Sequence, residues 1–184
     1  MKNPLILSLI LTAGFGCMIT MPSCATAPAT IEGKMKIEDE ADAAIARGKR
    51  NDPTLAAALA NAVGYAVFPT IGKGGIGVGG AYGKGVLYDG GLIVGYCDLS
   101  QATIGLQLGG QAYTEIILFS TREALNKFKS GNFAFDAQAT AVALRSGAGA
   151  NAKYSNGVAV LTMDEAGLMG EAVIGGQKFS FQPK

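Results

Sequence analysis

Few side chains in this sequence could carry covalent or acid–base chemistry, and one type is missing outright. There is no histidine, which removes the commonest general acid–base, the usual partner of a serine or cysteine nucleophile, and the most frequent zinc ligand. Three cysteines remain, Cys17, Cys24 and Cys97. Without a histidine to activate it, Cys97 reads as a small buried hydrophobe. Glu115 lies in an apolar stretch, where it is either a carboxyl of shifted pKa or, the preferred reading, one paired with a cation, with Arg122 and Arg145 the candidates. Gly75, Gly77 and Gly80 fit the G-x-G-x-x-G pattern of dinucleotide sites, but that pattern needs a helix starting on it. Here Ile76, Val78, Gly80 and Tyr82 continue at strand period. Neither Gly72-Lys73 nor Gly83-Lys84 is followed by Ser or Thr, so a P-loop fails, and no G-x-S-x-G, S-x-x-K or EF-hand spacing occurs. The expectation is a chain that is not an enzyme, with no catalytic residue, no metal site and no cofactor.

Cys24 offers a different chemistry. Residues 1–21 pair a basic start, Lys2, with an apolar run from Pro4 to Met21, the pattern of a secretory leader. A permanent membrane anchor is the competing reading, since ~18 apolar residues is near the lower limit for a span. Met21, Pro22, Ser23 and Cys24 resemble a lipobox, in which a small residue precedes a cysteine that takes up diacylglycerol. An ordinary cut after Ala29 is the alternative. The preferred reading gives a signal peptide over 1–23, a lipidated flexible spacer over 24–33 and one domain over 34–184. Ala25, not Asp, follows the cysteine, which points to the outer membrane, with the domain facing the periplasm.

Charge narrows the partners. Fifteen basic and fourteen acidic residues give +1, and loss of Lys2 with the leader brings the side chains to balance. A nucleic-acid partner would call for a basic excess or stripe, and there is none. Local basic clusters at Lys34 and Lys36, at Arg47, Lys49 and Arg50, and at Lys73 and Lys84 are either helix-end and surface charge or a lipid headgroup site beside the membrane.

The elements that must position these residues follow from periodicity. The chain is 49% hydrophobic and 16% charged, a globular composition, and its 27 glycines are about twice the usual share. Residues 34–50 read as a helix, acidic early and basic late, with Ile37 and Ile45 the bulky anchors of an alanine-rich face. Asp52 and Pro53 read as N-cap and first residue of a second helix through Val63. Residues 75–88 read as one strand with a nearly bare glycine face, a site for close approach by another backbone layer, a bend, or a ligand. Residues 101–112 read as a half-buried antiparallel strand that past Tyr113 becomes apolar on both faces through Phe119. Ser120 to Glu123 is a capping box that opens a helix ended by Gly131. Strands are expected at about 133–145, 157–163, 168–174 and 177–182. The order predicts an α+β fold: a curved, largely antiparallel sheet or barrel-like sandwich, with two N-terminal helices and one inserted helix.

Taken together, several segments resemble the SYLF domain family. They run from Tyr65 to Pro69, Lys73 to Gly80, Gly83 to Leu87, Ala102 to Ala112 and Glu115 to Phe119, with Ala124, Leu125 and Phe128, and then Gly167 to Gly170. The resemblance covers nearly all of 34–184. It implies lipid binding: eukaryotic members bind phosphoinositide membranes through a basic amphipathic N-terminal region, and some bind actin filaments. Bacterial members are exported lipoproteins. Two functions therefore stand as expectations. The first is a membrane-tethered lipid-binding domain using Lys34, Lys36, Arg47, Lys49 and Arg50, with Lys73 and Lys84. The second is a structural or protein-interaction module working through the glycine-faced strand.

Overall fold

The computed structural model describes residues 26–76, 78–104, 109–131, 133–135, 141–164 and 176–184. Helix α1 spans Ile31–Asn51 and buries Ile37, Ala41, Ala44, Ile45 and Gly48, a single stripe at helical spacing. Thr30 caps it, its side chain accepting the Gly33 N–H at 3.0 Å. The helix therefore starts earlier than Lys34, and the segment expected to be a flexible spacer is partly docked. Ala27 is buried and its N–H donates to Gln182 Oε1 at 3.1 Å.

Asp52 and Pro53 do not open α2. That helix runs Leu55–Asn61 with Thr54 at its N-cap, and Asp52 instead closes α1, its own N–H donating to the Gly48 carbonyl. The Asp52 carboxylate is fully buried and takes four bonds. They come from Thr54 N–H and Oγ1 and from the N–H groups of Gly147 and Gly149, at 3.0, 2.7, 2.9 and 2.6 Å. Burial alone would raise its pKa, but these donors together hold it below the usual carboxylate value. A capping residue has become the pin that fastens the α1–α2 corner to the 146–150 turns.

Eight strands follow in one sheet: β1 Gly64–Ile76, β2 Val78–Asp89, β3 Leu92–Ile104, β4 Gly109–Phe119, β5 Phe133–Phe135, β6 Ala141–Ala143, β7 Val158–Asp164 and β8 Gln177–Pro183. Their order is β5-β8-β3-β2-β1-β4-β7-β6. The pairings are antiparallel except β6 with β7. The α+β class, the two N-terminal helices and the inserted helix α3, Arg122–Lys129, match expectation. The sheet stays open, with β5 and β6 at its edges, so the barrel-like alternative is set aside.

Several local expectations differ. Residues 101–119 are not one strand, since β3 ends at Ile104 and β4 begins at Gly109. Residues 75–88 are not one strand: the chain reverses near its start, with Ile76 paired to Val78 and Gly75 to Gly79. Glycine alternation continues through the reversal, so the period could not reveal it. The G-x-G-x-x-G stretch is thus a hairpin, and β2 continues to Asp89 with no helix on it. Thr121, not Ser120, caps α3, accepting the Ala124 N–H at 3.2 Å. The 133–145 segment contributes two short strands on opposite edges of the sheet, and the strand expected at 168–174 lies outside the described residues.

The sheet is strongly curved. Strands β8 and β4 are separated by β3, β2 and β1, which in a flat sheet would hold them roughly 19 Å apart at about 4.8 Å per strand. Yet the Phe179 ring of β8 lies 5.8 Å from the Phe68 ring of β1, and the Gln177 side chain of β8 bonds the Glu115 side chain of β4 at 2.9 Å. The concave face encloses Ala66, Phe68, Ile71, Leu87, Cys97, Leu99, Ile117, Phe119 and Phe179, sealed by Leu125 and Phe128 of α3. The convex face, with Val67, Val86, Tyr88, Tyr96, Ile116 and Leu118, is covered by α1 and α2.

The curvature has a local cause. Strand β1 carries a bulge between Phe68 and Ile71, with register shifts toward both neighbours. Pro69, which has no N–H to give a ladder, lies in it. Opposite the bulge, β2 has glycine. A Cβ on Gly85 would lie 2.6 Å from the Val67 carbonyl oxygen and 2.8 Å from the Phe68 ring, and one on Gly83 would lie 2.7 Å from Ile71. The bare face of β2 therefore meets side chains and carbonyls of its neighbouring strand, not a second layer of main chain. It is interior at Gly83 and Gly85. Gly85→Ala is expected to lower stability by about 2–3 kcal/mol through overpacking, whereas Gly72→Ala, with nothing within 4 Å of its Cβ position, should cost less than about 0.5 kcal/mol. Urea unfolding of both variants checks the contrast, and equal losses would contradict it.

Candidate functional site

The seven basic residues singled out in the sequence do not converge on one surface. Lys34 lies over the Tyr96 ring, 5.5 Å from its centroid. Lys36 is exposed and pairs with Glu40 at 3.7 Å, one helical turn on. Lys49 and Arg50 are exposed in the last turn of α1, about 22 Å from Lys34 at 1.5 Å per residue. Lys84, on the convex face of β2, donates to the Thr26 carbonyl at 3.0 Å, pairs with Asp98 at 3.9 Å and lies 6.0 Å from the Tyr82 ring centroid. Lys73 is buried, and desolvation pulls its ammonium below its usual pKa.

Arg47 has a structural task. Its Nη2 donates to Thr114 Oγ1 at 2.7 Å, and that hydroxyl donates to the Pro69 carbonyl at 2.6 Å. The bulge leaves this carbonyl outside the regular ladder, and Thr114, fully buried, satisfies it from the next strand. Helix α1 is thereby connected through Arg47 to the feature that bends the sheet.

Around the first half of α1 the charges alternate. Glu38 accepts from the Tyr96 hydroxyl at 2.6 Å and from Lys184 Nζ at 2.8 Å. Its pKa is lowered, first by Lys184 and then by Tyr96, against the opposing effect of burial. Beside it, Ser180 Oγ donates to Asp98 Oδ2 at 3.0 Å and accepts from Thr26 Oγ1 at 3.2 Å. Basic groups here are largely matched by acids, so the surface is not a strongly positive field.

What stands out instead is apolar. Ile31 is 75% exposed and Met35 59% exposed, neighbours one turn apart at the start of α1, while Ile37 and Ile45, the anchors expected from sequence, are turned into the convex-face core. Ile31 was missed because residues through 33 read as spacer. The signal that could have found it is Thr30, a good N-cap, directly before an apolar residue. Cys24 and the segment expected to be a leader lie outside the described residues.

A second set of polar groups lines one end of the concave face. By register, Lys73, Ala81, Gln101 and Gln177 form one row across β1, β2, β3 and β8. Ile71 and Tyr113 belong to the next row, and Phe68 and Glu115 to the one after. Lys73, Gln101, Tyr113, Glu115 and Gln177 are all buried. Glu115 is not paired with Arg122 or Arg145 as expected. Arg122 and Lys129 both hold Asp89, each at 2.6 Å, and the partner of Glu115 is Gln177, whose Nε2 donates to Oε2. Cys97 is buried and its thiol pKa is pushed well up, first by burial and then by Asp98. Among the described residues no group of His, Cys, Asp or Glu could hold a metal ion, and no helix is long and apolar enough to cross a membrane.

If Arg47 and Thr114 serve the bulge, Thr114→Val should lower stability by about 2 kcal/mol, the cost of a buried carbonyl left unpaired. Denaturant unfolding measures the loss, and a variant as stable as the parent would reverse the assignment.

Comparison with known proteins gives two matches. The family model described as "Ysc84: Las17-binding protein actin regulator" matches residues 100–183. A relative, beta cell expansion factor A of Aeromonas veronii, is 27% identical over 157 residues, which cover 80% of this chain and 57% of that protein. The chain thus spans little more than half the length of that relative. The resemblance read from the motifs agrees with this, since residues 100–183 are similar to the Ysc84, or SYLF, family.

Proposed function

We propose that the chain is a non-enzymatic lipid-binding domain of the bacterial envelope, exported and tethered by lipid on Cys24 to the outer membrane, facing the periplasm. The observation that carries this reading is the exposed pair Ile31 and Met35, flanked by Lys34 and Lys36. They stand on the first turns of α1, a few residues beyond Thr26 and Ala27, whose contacts with Lys84, Ser180 and Gln182 fix the start of the domain. A tether two residues before Thr26 would hold this face against the bilayer, where apolar side chains enter the interface and lysines reach headgroups. Because most of the basic residues are already paired, apolar insertion supplies more of the affinity than charge does. Binding is then only weakly dependent on salt.

The description of the matched family as a Las17-binding actin regulator favours a second reading, a module that binds protein. Vesicle co-sedimentation of residues 26–184 separates the two. The lipid reading expects binding to vesicles containing anionic lipid and a loss of at least about tenfold, or ~1.4 kcal/mol, on Ile31→Glu with Met35→Glu. No sedimentation with any vesicle at low salt, together with capture of a protein partner from envelope extracts, would replace it with the second.

A further inference from the structure

The Glu115–Gln177 contact is incomplete as it stands. Both residues are fully buried, and one hydrogen bond joins them, from Gln177 Nε2 to Glu115 Oε2 at 2.9 Å. The other oxygen of each, Glu115 Oε1 and Gln177 Oε1, has no hydrogen-bond partner. Two buried acceptors, one on each member of the pair, therefore lack a donor. A carboxylic acid and a primary amide supply it when they meet edge to edge. The amide N–H donates to the carbonyl oxygen of the acid, and the acid O–H donates back to the amide oxygen.

We propose that Glu115 in its acid form completes this two-bond pair with Gln177, clasping β8 across the concave face to β4, and that loss of the proton opens the clasp. The ionised form would leave a buried anion with one donor and place two acceptors together, a costly arrangement in an apolar interior. Burial agrees with this, pushing the carboxyl up to about 7 against the opposing effect of the Gln177 hydrogen bond. Among the described residues none supplies a compensating charge at contact distance. On its own strand Tyr113 is neutral, its pKa raised by burial and then by Glu115 against the opposing effect of a hydrogen bond with Gln177. On β1 the facing neighbour is Phe68, with Lys73 two rows away, and on β7 it is Thr162, with Asp164 opposite Tyr113 in register. On β3 it is the neutral thiol of Cys97, and α3 presents Leu125 and Phe128.

The chain has no histidine, so no ordinary side chain titrates between pH 6 and 8 to obscure the effect. A carboxyl raised from 4.5 to about 7 on folding holds its proton more tightly in the folded state. Its stabilising contribution is therefore complete below the lower value and lost as pH rises toward the upper one. The unfolding constant should grow by up to tenfold per pH unit across that interval.

Two measurements test it. In the full chain labelled with 13C, the Glu115 carboxyl carbon, assigned through its backbone correlations, should titrate near 7. In urea unfolding from pH 5 to 8, the parent should lose stability as pH rises. Glu115→Gln keeps both hydrogen bonds as an amide–amide pair and has no proton to lose, so it should show a flat profile at the parent's acid-side stability. A Glu115 carbon titrating at or below 4.5, or a Gln variant that keeps the parent's slope, overturns the proposal.

Discussion

The bend in β1 is the constraint on which the rest of the molecule depends. Pro69 cannot give a hydrogen bond to a neighbouring strand, so a central strand that contains it must bulge. The bulge turns Phe68 and Ile71 toward the concave face and needs room opposite, and Gly83 and Gly85 leave that room. With the ladder bent at this line, strands far apart in the sheet order come face to face. A flat sheet of the same strands would leave Phe68, Phe128 and Phe179 without one another. The large glycine content, which could have signalled a phosphate loop, here serves curvature.

Each helix answers a need set by that curved sheet. On the concave side α3 brings Leu125 and Phe128 into the opening, where Phe128 lies 5.1 Å from Phe119 and 5.3 Å from Phe179, ring centre to ring centre. On the convex side α1 needs small residues to lie close, hence Ala41, Ala44 and Gly48 in its buried stripe. Arg47 reaches past that stripe to the bulge through Thr114. Asp52, under the α1–α2 corner, gathers four donors from two segments distant in sequence. The same helix leaves its first turn apolar and exposed at Ile31 and Met35. Packing alone gives no reason for that, and the proposed membrane contact does.

Much of this was legible in the residues. Alternation of apolar and polar residues marked strand structure and antiparallel character over 101–112, though not the break between β3 and β4, and acid-to-base polarity marked α1. Gly131, at φ +73°, marked the end of α3 as only a residue without a Cβ readily can. What escaped were features that need the third dimension. The reversal between Ile76 and Val78 hides inside a glycine repeat that keeps its period. The role of Arg47 depends on a bulge whose register shift no spacing displays. Glu115 and Gln177 are 62 positions apart, and Arg122 was a reasonable partner for Glu115 by sequence alone. Curvature brought Gln177 closer, while Asp89 engaged the arginine. Of the basic residues taken as a headgroup site, position along α1 was readable, but pairing with Glu40, Asp98 and Thr114 was not.

The account depends most directly on the curl that carries β8 over to β1 and β4. Nuclear Overhauser contacts between aromatic rings in solution report it without any substitution. Cross-peaks from the Phe179 ring to Phe68 and Phe128, and from the Gln177 side-chain amide to Tyr113, are the expected result. A spectrum in which Phe179 and Gln177 touch only their ladder neighbours on β3 and β5 would mean an uncurled sheet, and would contradict both the concave core and everything placed within it.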